Sequence, residues 1–356
     1  MKKLLLLILL AILAGGGYLM FWPTPLDPVA YNPPAAPTME GRWAPNTKLR
    51  PARRLAENRL AGPEDLAVDS RGRLYTGTDE GLISRIGDDG DVETLADTGG
   101  RPLGVAFGAD GRLLVADAWK GLLAVDEGGD IEVLSTGARG TPFAFTDDLD
   151  VADDGTVYFS DASDRFHQPE YLYDLLEARA HGRLLRYEPA TGETTVLADD
   201  LYFANGVAVS EDERFVLVNE TYRYRIRRHW LSGPRAGETE VIMDNLPGFP
   251  DNIARSPRGT FWVAFFTVRN ERMDAMHPSP LVKEMVSRLP KAFWPKPAPY
   301  GFIAEIDGDG NVLRTLQDPG GERIATITSV LEHDGTLYLG SLYNRYIGRL
   351  PLPEAD

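Results

Sequence analysis

The sequence predicts an all-β protein, a six-bladed β-propeller on an N-terminal transmembrane anchor with two helical insertions. Three observations predict it. One hairpin motif recurs six times, the copies stand about a blade's length apart, and a single uncharged run occupies the N-terminus.

The motif is Gly-x-apolar-apolar: Gly72-Arg-Leu-Tyr75, Gly111-Arg-Leu-Leu114, Gly155-Thr-Val-Tyr158, Gly259-Thr-Phe-Trp262 and Gly335-Thr-Leu-Tyr338. A sixth copy, Glu213-Arg-Phe-Val216, has Glu in the glycine place. Each copy reads as a turn between two alternating strands. The preceding strands are Leu66–Asp69, Val105–Phe107, Leu149–Val151, Val207–Val209, Ile253–Ala254 and Val330–Glu332. The turns are 39, 44, 58, 46 and 76 residues apart. A four-stranded blade needs about 40 to 50. The two long intervals carry the insertions. The first, about 166–181, holds a short helix over Glu170–Glu177. The second, about 268–300, holds a helix over Leu281–Leu289, then Phe293 and Trp294. A β-sandwich does not call for six copies of one hairpin.

At the N-terminus, Lys2 and Lys3 precede an uncharged run from Leu4 to Trp22. Nineteen helical residues span roughly 28 Å, close to the hydrocarbon thickness of a bilayer. Positive charge before the run predicts a cytoplasmic N-terminus and a propeller on the non-cytoplasmic side, periplasmic or extracellular/lumenal. A signal peptide cleaved near Ala14 and Gly15 is the alternative. Residues 1–22 are thus the anchor, the proline-rich 23–55 an extended tether and 56–353 the propeller.

The net charge of −16 and pI of about 4.8 argue against nucleic acid as a partner. The absence of cysteine removes disulfides, thiolate metal sites and cysteine nucleophiles.

Eight residues before each turn position stand Glu64, Leu103, Asp147, Asn205, Asp251 and Ile327. Equal offsets mean equivalent places, one per blade, next to the strand that lines the channel. Four oxygen-bearing side chains therefore converge on the axis. One residue on come Asp65, Gly104, Asp148, Gly206, Asn252 and Thr328, and three of these add oxygens. Asp or Asn before a strand also caps turns, but Glu64 is not a turn former. Crowded carboxylates repel unless a cation neutralises them. A cage of carboxylates and amides without His or Cys selects Ca²⁺, with Mg²⁺ or Mn²⁺ as substitutes. Of the remaining candidates, His333 reads as solvent-facing, and Arg223–Arg228 as a solvated outer strand.

The segments Gly62-Pro-Glu-Asp65, Thr146-Asp-Asp-Leu149, Phe203-Ala-Asn-Gly206, Leu246-Pro-Gly-Phe-Pro-Asp-Asn-Ile253 and Glu332–Gly340 resemble strictosidine synthase-like proteins. The branch they resemble is that of the adipocyte plasma membrane-associated proteins, in a propeller superfamily with gluconolactonase (senescence marker protein) and paraoxonase. The resemblance implies a channel metal, usually calcium, on Glu64, Asn205 and Asp251, with Asn252 added as in paraoxonases. It implies a second, structural metal on Asp65 and Asp148. Asp147 falls where those families have Asn. Thr328 falls where strictosidine synthase has its catalytic glutamate, which disfavours a lyase. Leu103 falls where paraoxonase has a histidine, so no His base is implied.

The expected function is metal-dependent hydrolysis of a small-molecule lactone or aryl ester, with Asp147 or Asp148 as general base. The insertions form a lid. Phe293 and Trp294 face an apolar substrate, the membrane or the core. The alternative is a non-catalytic, membrane-tethered binding module with a structural metal.

Overall fold

The computed structural model describes residues 1–354. Among them, six antiparallel four-stranded sheets form the six predicted blades. Their inner strands are Ala67–Val68, Pro102–Phe107, Thr146–Val151, Ala204–Val209, Gly248–Arg255 and Ser329–His333, which define blades one to six. Neighbouring inner strands touch from blade one through to blade six. Blade six returns to blade one where Ser341 N donates to Pro63 O at 2.6 Å.

The ring closes with strands from both ends of the chain. Arg53–Leu55 pairs with Ile347–Pro351, Arg53 opposite Arg349 and Leu55 opposite Ile347. The propeller therefore takes in residues before 56. Closure of this kind removes the exposed sheet edge that an open array would present.

The recurring turns have a plain backbone cause. Gly72, Gly111, Gly155, Gly259 and Gly335 all adopt positive φ, between 66° and 86°, where glycine carries no Cβ penalty. Glu213 stands in the same place at φ 52°. A non-glycine residue there costs about 1–2 kcal/mol. Its carboxylate accepts a bond from Asp153 N of blade three, which offsets part of that cost.

Between blades the apolar faces interlock. Leu114, Ala116 and Leu122 of blade two pack with Leu149, Val157 and Phe159 of blade three. Burying each large side chain contributes roughly 1.5–3 kcal/mol.

Among the described residues four α-helices lie outside the blades: α1 (Lys2–Phe21), α2 (Tyr171–Glu177), α3 (Glu271–Met276) and α4 (Pro280–Ser287). The helix α1 is long and apolar enough to cross a membrane, and none of it is buried. The other three fall in the two insertions the sequence expects to form a lid, and α2 and α4 pack together. Trp294 is buried, its Nε1 donating to Leu289 O at 3.0 Å. Phe293 next to it is 72% exposed.

Residues 23–55, expected as a tether, are extended but packed onto the propeller. Proline removes backbone donors, so this segment mostly offers carbonyls, and side chains capture them. Arg165 bonds Pro25 O, Lys283 bonds Val29 O, Arg269 bonds Pro34 O and Asn245 bonds Ala35 O. Of the N–H groups that remain, those of Val29 and Tyr31 donate to Glu177 O and His277 O at 3.0 Å, and that of Leu49 to Gln317 O at 3.1 Å. Further on, the Trp43 ring stands edge-on to Phe265 and Phe302 of blade five. The segment is a strap laid over the lid and down blade five.

Candidate metal centre

A break in strand register spans the candidate residues of blades two to five. In blades two to five the pairing of the inner strand shifts between Pro102 and Val105, Thr146 and Leu149, Ala204 and Val207, and Pro250 and Ile253. A bulge of this kind re-aims the side chains it spans. The residues spanned include Leu103, Asp147, Asn205 and Asp251 with the residues that follow them. In blade one, Glu64 lies three residues before the short inner strand.

The residue after each of these places alternates with purpose. A Cβ on Gly104 would come within 2.7 Å of Asp148 Cα, and one on Gly206 within 2.6 Å of Asn252 Cα. Glycine in blades two and four thus lets blades three and five close in, carrying Asp148 and Asn252 against them. In blade six, Thr328 bonds the Glu64 carbonyl through its hydroxyl at 2.8 Å, as does Ser329.

The structure brings Glu64 and Asn252 into direct contact: the Asn252 amide donates to Glu64 Oε1 at 3.0 Å. Burial raises the Asp251 pKa, and a hydrogen bond with the Asn205 side chain only partly opposes that rise. Glu64, Asp147, Asn205, Asp251 and Asn252 are all at most 5% exposed. Four of them keep a buried oxygen with no hydrogen-bond partner: Glu64 Oε2, Asp147 Oδ2, Asn205 Oδ1 and Asn252 Oδ1. All four are acceptors. Unsatisfied buried polar atoms cost about 1–3 kcal/mol each, more when charged, so each of these four needs an explanation.

Electrostatics points the same way. Burial, then the charges of Asp65, Asp251, Asp147 and Asp148, push the Glu64 pKa well up. Burial and Asp251 push Asp147 well up, while Arg101 opposes. Burial raises Asp251 to about 7.

A hard cation fits this donor set, which is carboxylate and amide oxygen only. Among the described residues no three His, Cys, Asp or Glu side chains are grouped as a metal site.

Asp65 and Asp148 are committed differently. Asp65 Oδ2 accepts from Val105 N of blade two at 3.0 Å. Asp148 accepts from Leu149 N and from Val207 N of blade four, both at 2.8 Å. Each pins its blade to the next. Burial and the Asp65 charge raise Asp148 well above its ordinary pKa, and burial raises Asp65 to about 6.

Sequence reasoning missed three groups. Arg101 is a buried cation whose charge acts on Glu64 and Asp147, held by the carbonyls of Gly62 and Pro102. Asn219, fully buried, donates to Asp251 O and leaves its own Oδ1 unpartnered. An aromatic cluster lies close to the oxygens. The Phe145 and Phe203 rings meet edge-to-face at 5.3 Å, and Phe203 stacks on Tyr222 at 4.3 Å. Tyr222 feels the charges of Asp147 and Asp251, and its hydroxyl donates to Tyr171 O of the lid. Tyr171 in turn meets the Tyr343 hydroxyl at 2.7 Å. A signal was present: Arg101, Phe145, Phe203 and Phe249 each stand two residues before a ring position, a strand's repeat.

Other expectations resolve simply. His333 lies beside Asp334 at the surface. The basic run is no solvated face: Arg225 pairs with Glu220, Arg227 with Asp200 and Arg228 with Glu240. Arg223 lies between the Tyr31 and Tyr202 rings, at 3.8 and 3.6 Å from their centres. Two open cavities, of about 430 and 650 Å³, sit beside Arg223 and Phe293, and neither is lined by Glu64, Asp147, Asn205, Asp251 or Asn252.

Comparison with known proteins follows this geometry. The strictosidine synthase family model matches residues 147–234, and the model for the N-terminal part of strictosidine synthase-like proteins matches 41–86. Mouse adipocyte plasma membrane-associated protein is 38% identical over 94% of this chain and 86% of its own. Two solved propellers share the fold. A gluconolactonase from Xanthomonas campestris has a TM-score of 0.63 at 19% identity, covering 93% of this chain and 98% of its own. A calcium-binding regucalcin from Agrobacterium tumefaciens has a TM-score of 0.59 at 16% identity, covering 83% and 92%. By its near full-length identity to the mouse protein, the chain belongs to the adipocyte plasma membrane-associated protein family, among the strictosidine synthase-like proteins.

Proposed function

We propose that this chain is a metal-dependent hydrolase of lactones or aryl esters. Calcium, or magnesium or manganese in its place, would be held in the channel by Glu64, Asp147, Asn205, Asp251 and Asn252. The observation that carries this reading is the set of four unpartnered buried oxygens in that channel. The shared fold of a gluconolactonase and a calcium-binding regucalcin supports it.

A cation held there would supply Lewis acidity toward a substrate carbonyl. The chain's own residues do the rest. Asp147 keeps one oxygen free, and its raised pKa suits a general base that takes a proton from an attacking water. Asp148 engages both oxygens with backbone N–H groups, so its part is to hold Asp147 in place. With Asp65 it forms the pair for a second, structural cation. The Phe145–Phe203–Tyr222 cluster offers apolar surface to an acyl or aryl group. Thr328 spends its hydroxyl on the Glu64 carbonyl and stands where a condensing enzyme needs an acid, so a lyase is not supported. In this reading α1 holds the protein in the membrane, with Lys2 and Lys3 on the cytoplasmic side and the propeller across it.

The test is turnover of a panel of lactones and aryl esters by the purified chain with calcium saturating. We expect hydrolysis that a chelator abolishes, calcium restores and Glu64→Ala removes while the fold survives. No turnover across the panel would instead favour a binding module with a structural metal.

A further inference from the structure

We propose that the lid of this propeller rests on the bilayer surface, with Leu281, Val282 and Phe293 in the lipid interface and α1 anchored beside them. The inference rests on the reading of α1 as a membrane helix and extends it to the lid.

The lid residue Arg288 closes the end of α1. Its guanidinium donates to Leu19 O at 2.7 Å and to Trp22 O. These are carbonyls that the last turn of a helix leaves unpaired, and a cation there also complements the helix dipole. Glu284 of α4 fixes the same guanidinium at 2.8 Å. In return the Tyr18 hydroxyl donates to Arg288 O at 3.1 Å, and Thr24 meets Ser287 through their hydroxyls at 2.8 Å. Arg288 has only 6% of its side chain exposed, so this is a seated contact.

The clamp fixes where the lid lies. If α1 spans the bilayer, its end at Phe21 and Trp22 is at the membrane–water boundary, where Trp and Tyr collect. Trp22 and Tyr18 are 59% and 44% exposed there. Leu281 and Val282 are six or seven residues before Arg288 on the same helix, roughly 10 Å away at ~1.5 Å per residue. Phe293 is five residues after Arg288, within ~17 Å for an extended chain. The headgroup zone adds roughly 5–7 Å on each side of the hydrocarbon. These three side chains are 48%, 39% and 72% exposed, all within a short reach of the clamped end of α1. Lys291, Lys296 and Arg272 stand in the same segment, the pairing of bases with apolar residues that interfacial surfaces use. The occupant is a lipid surface, and the lid over the channel then faces it, so an apolar ester or lactone could enter from the membrane.

The absence of cysteine makes the test clean. Single-cysteine variants Leu9→Cys, Leu281→Cys, Phe293→Cys and Val133→Cys of the full chain would carry nitroxide labels in vesicles of phosphatidylcholine and phosphatidylglycerol. Accessibility to oxygen and to a water-soluble nickel complex is then read by power saturation. We expect labels at 281 and 293 to favour oxygen over nickel several-fold relative to position 133, on the outer strand of blade two, and position 9 to report deep hydrocarbon. Labels at 281 and 293 as nickel-accessible as 133, with position 9 in lipid, would overturn the lid proposal alone. Position 9 accessible to nickel would overturn the anchor and the lid together.

Discussion

Asn252 of blade five donates its side-chain amide to Glu64 of blade one at 3.0 Å, reaching past blade six, which stands between them in the ring. One Glu64 oxygen is satisfied by this bond, and the other is left facing the channel without a partner.

Glu64→Gln tests that division of labour. It keeps the shape and an acceptor but removes a charge. Calcium affinity measured by titration calorimetry should fall by at least tenfold, about 1.4 kcal/mol or more. The metal-free variant should melt no lower than the metal-free parent, because a buried charge crowded by other carboxylates is gone.

The raised carboxyl pKa values make metal-free stability depend on pH. Asp65 and Asp251 titrate at about 6 and about 7 in the folded chain, above the ordinary value of 3.8. The folded state therefore binds more protons than the unfolded state between about pH 4 and 7, so stability falls as pH rises through that window. Thermal melts of chelated protein should drop from pH 5 to 7.5. Calcium competes with those protons, so its affinity should rise over the same range. A flat melting profile in chelator would contradict the assignment.

Gly206→Ala should be among the most damaging single-methyl changes in the protein. Its Cβ would lie 2.3 Å from Ile253 N and 2.6 Å from Asn252 Cα, both backbone. Overpacking of this sort costs typically 1–3 kcal/mol. Denaturant unfolding should show that loss, together with weaker calcium binding, because Asn252 must move.

Glu213→Gly removes a strained left-handed residue but also the carboxylate that binds Asp153 N. These effects oppose each other at about 1 kcal/mol each. Unfolding free energy should change by less than about 1 kcal/mol. Glu213→Ala keeps the strain and loses the bond, and should be clearly less stable than Glu213→Gly.

The sequence made the blades legible because each turn needs a left-handed residue, and glycine marks five of the six. The oxygen positions were legible through a constant offset from those turns. The offset stayed constant because the same bulge recurs in blades two to five. Asn219 was not legible, since a buried Asn has no periodic mark of its own, whereas Arg101 carried a mark only in its place two residues before Leu103. The strap was misread in part: proline content predicts an extended chain, but whether it floats or packs depends on distant side chains such as Lys283 and Arg269. Likewise the alternating arginines of Arg225–Trp230 look solvated in sequence, and only the neighbouring strand supplies Glu240.

The central claim is that one cation sits where these oxygens meet. Crystals grown with calcium and then exchanged into manganese would locate it by anomalous scattering. The account predicts a peak on the propeller axis within about 2.6 Å of oxygens of Glu64, Asn205 and Asp251. A peak bound elsewhere, or an axis without density while Asn252 still bonds Glu64, would contradict it.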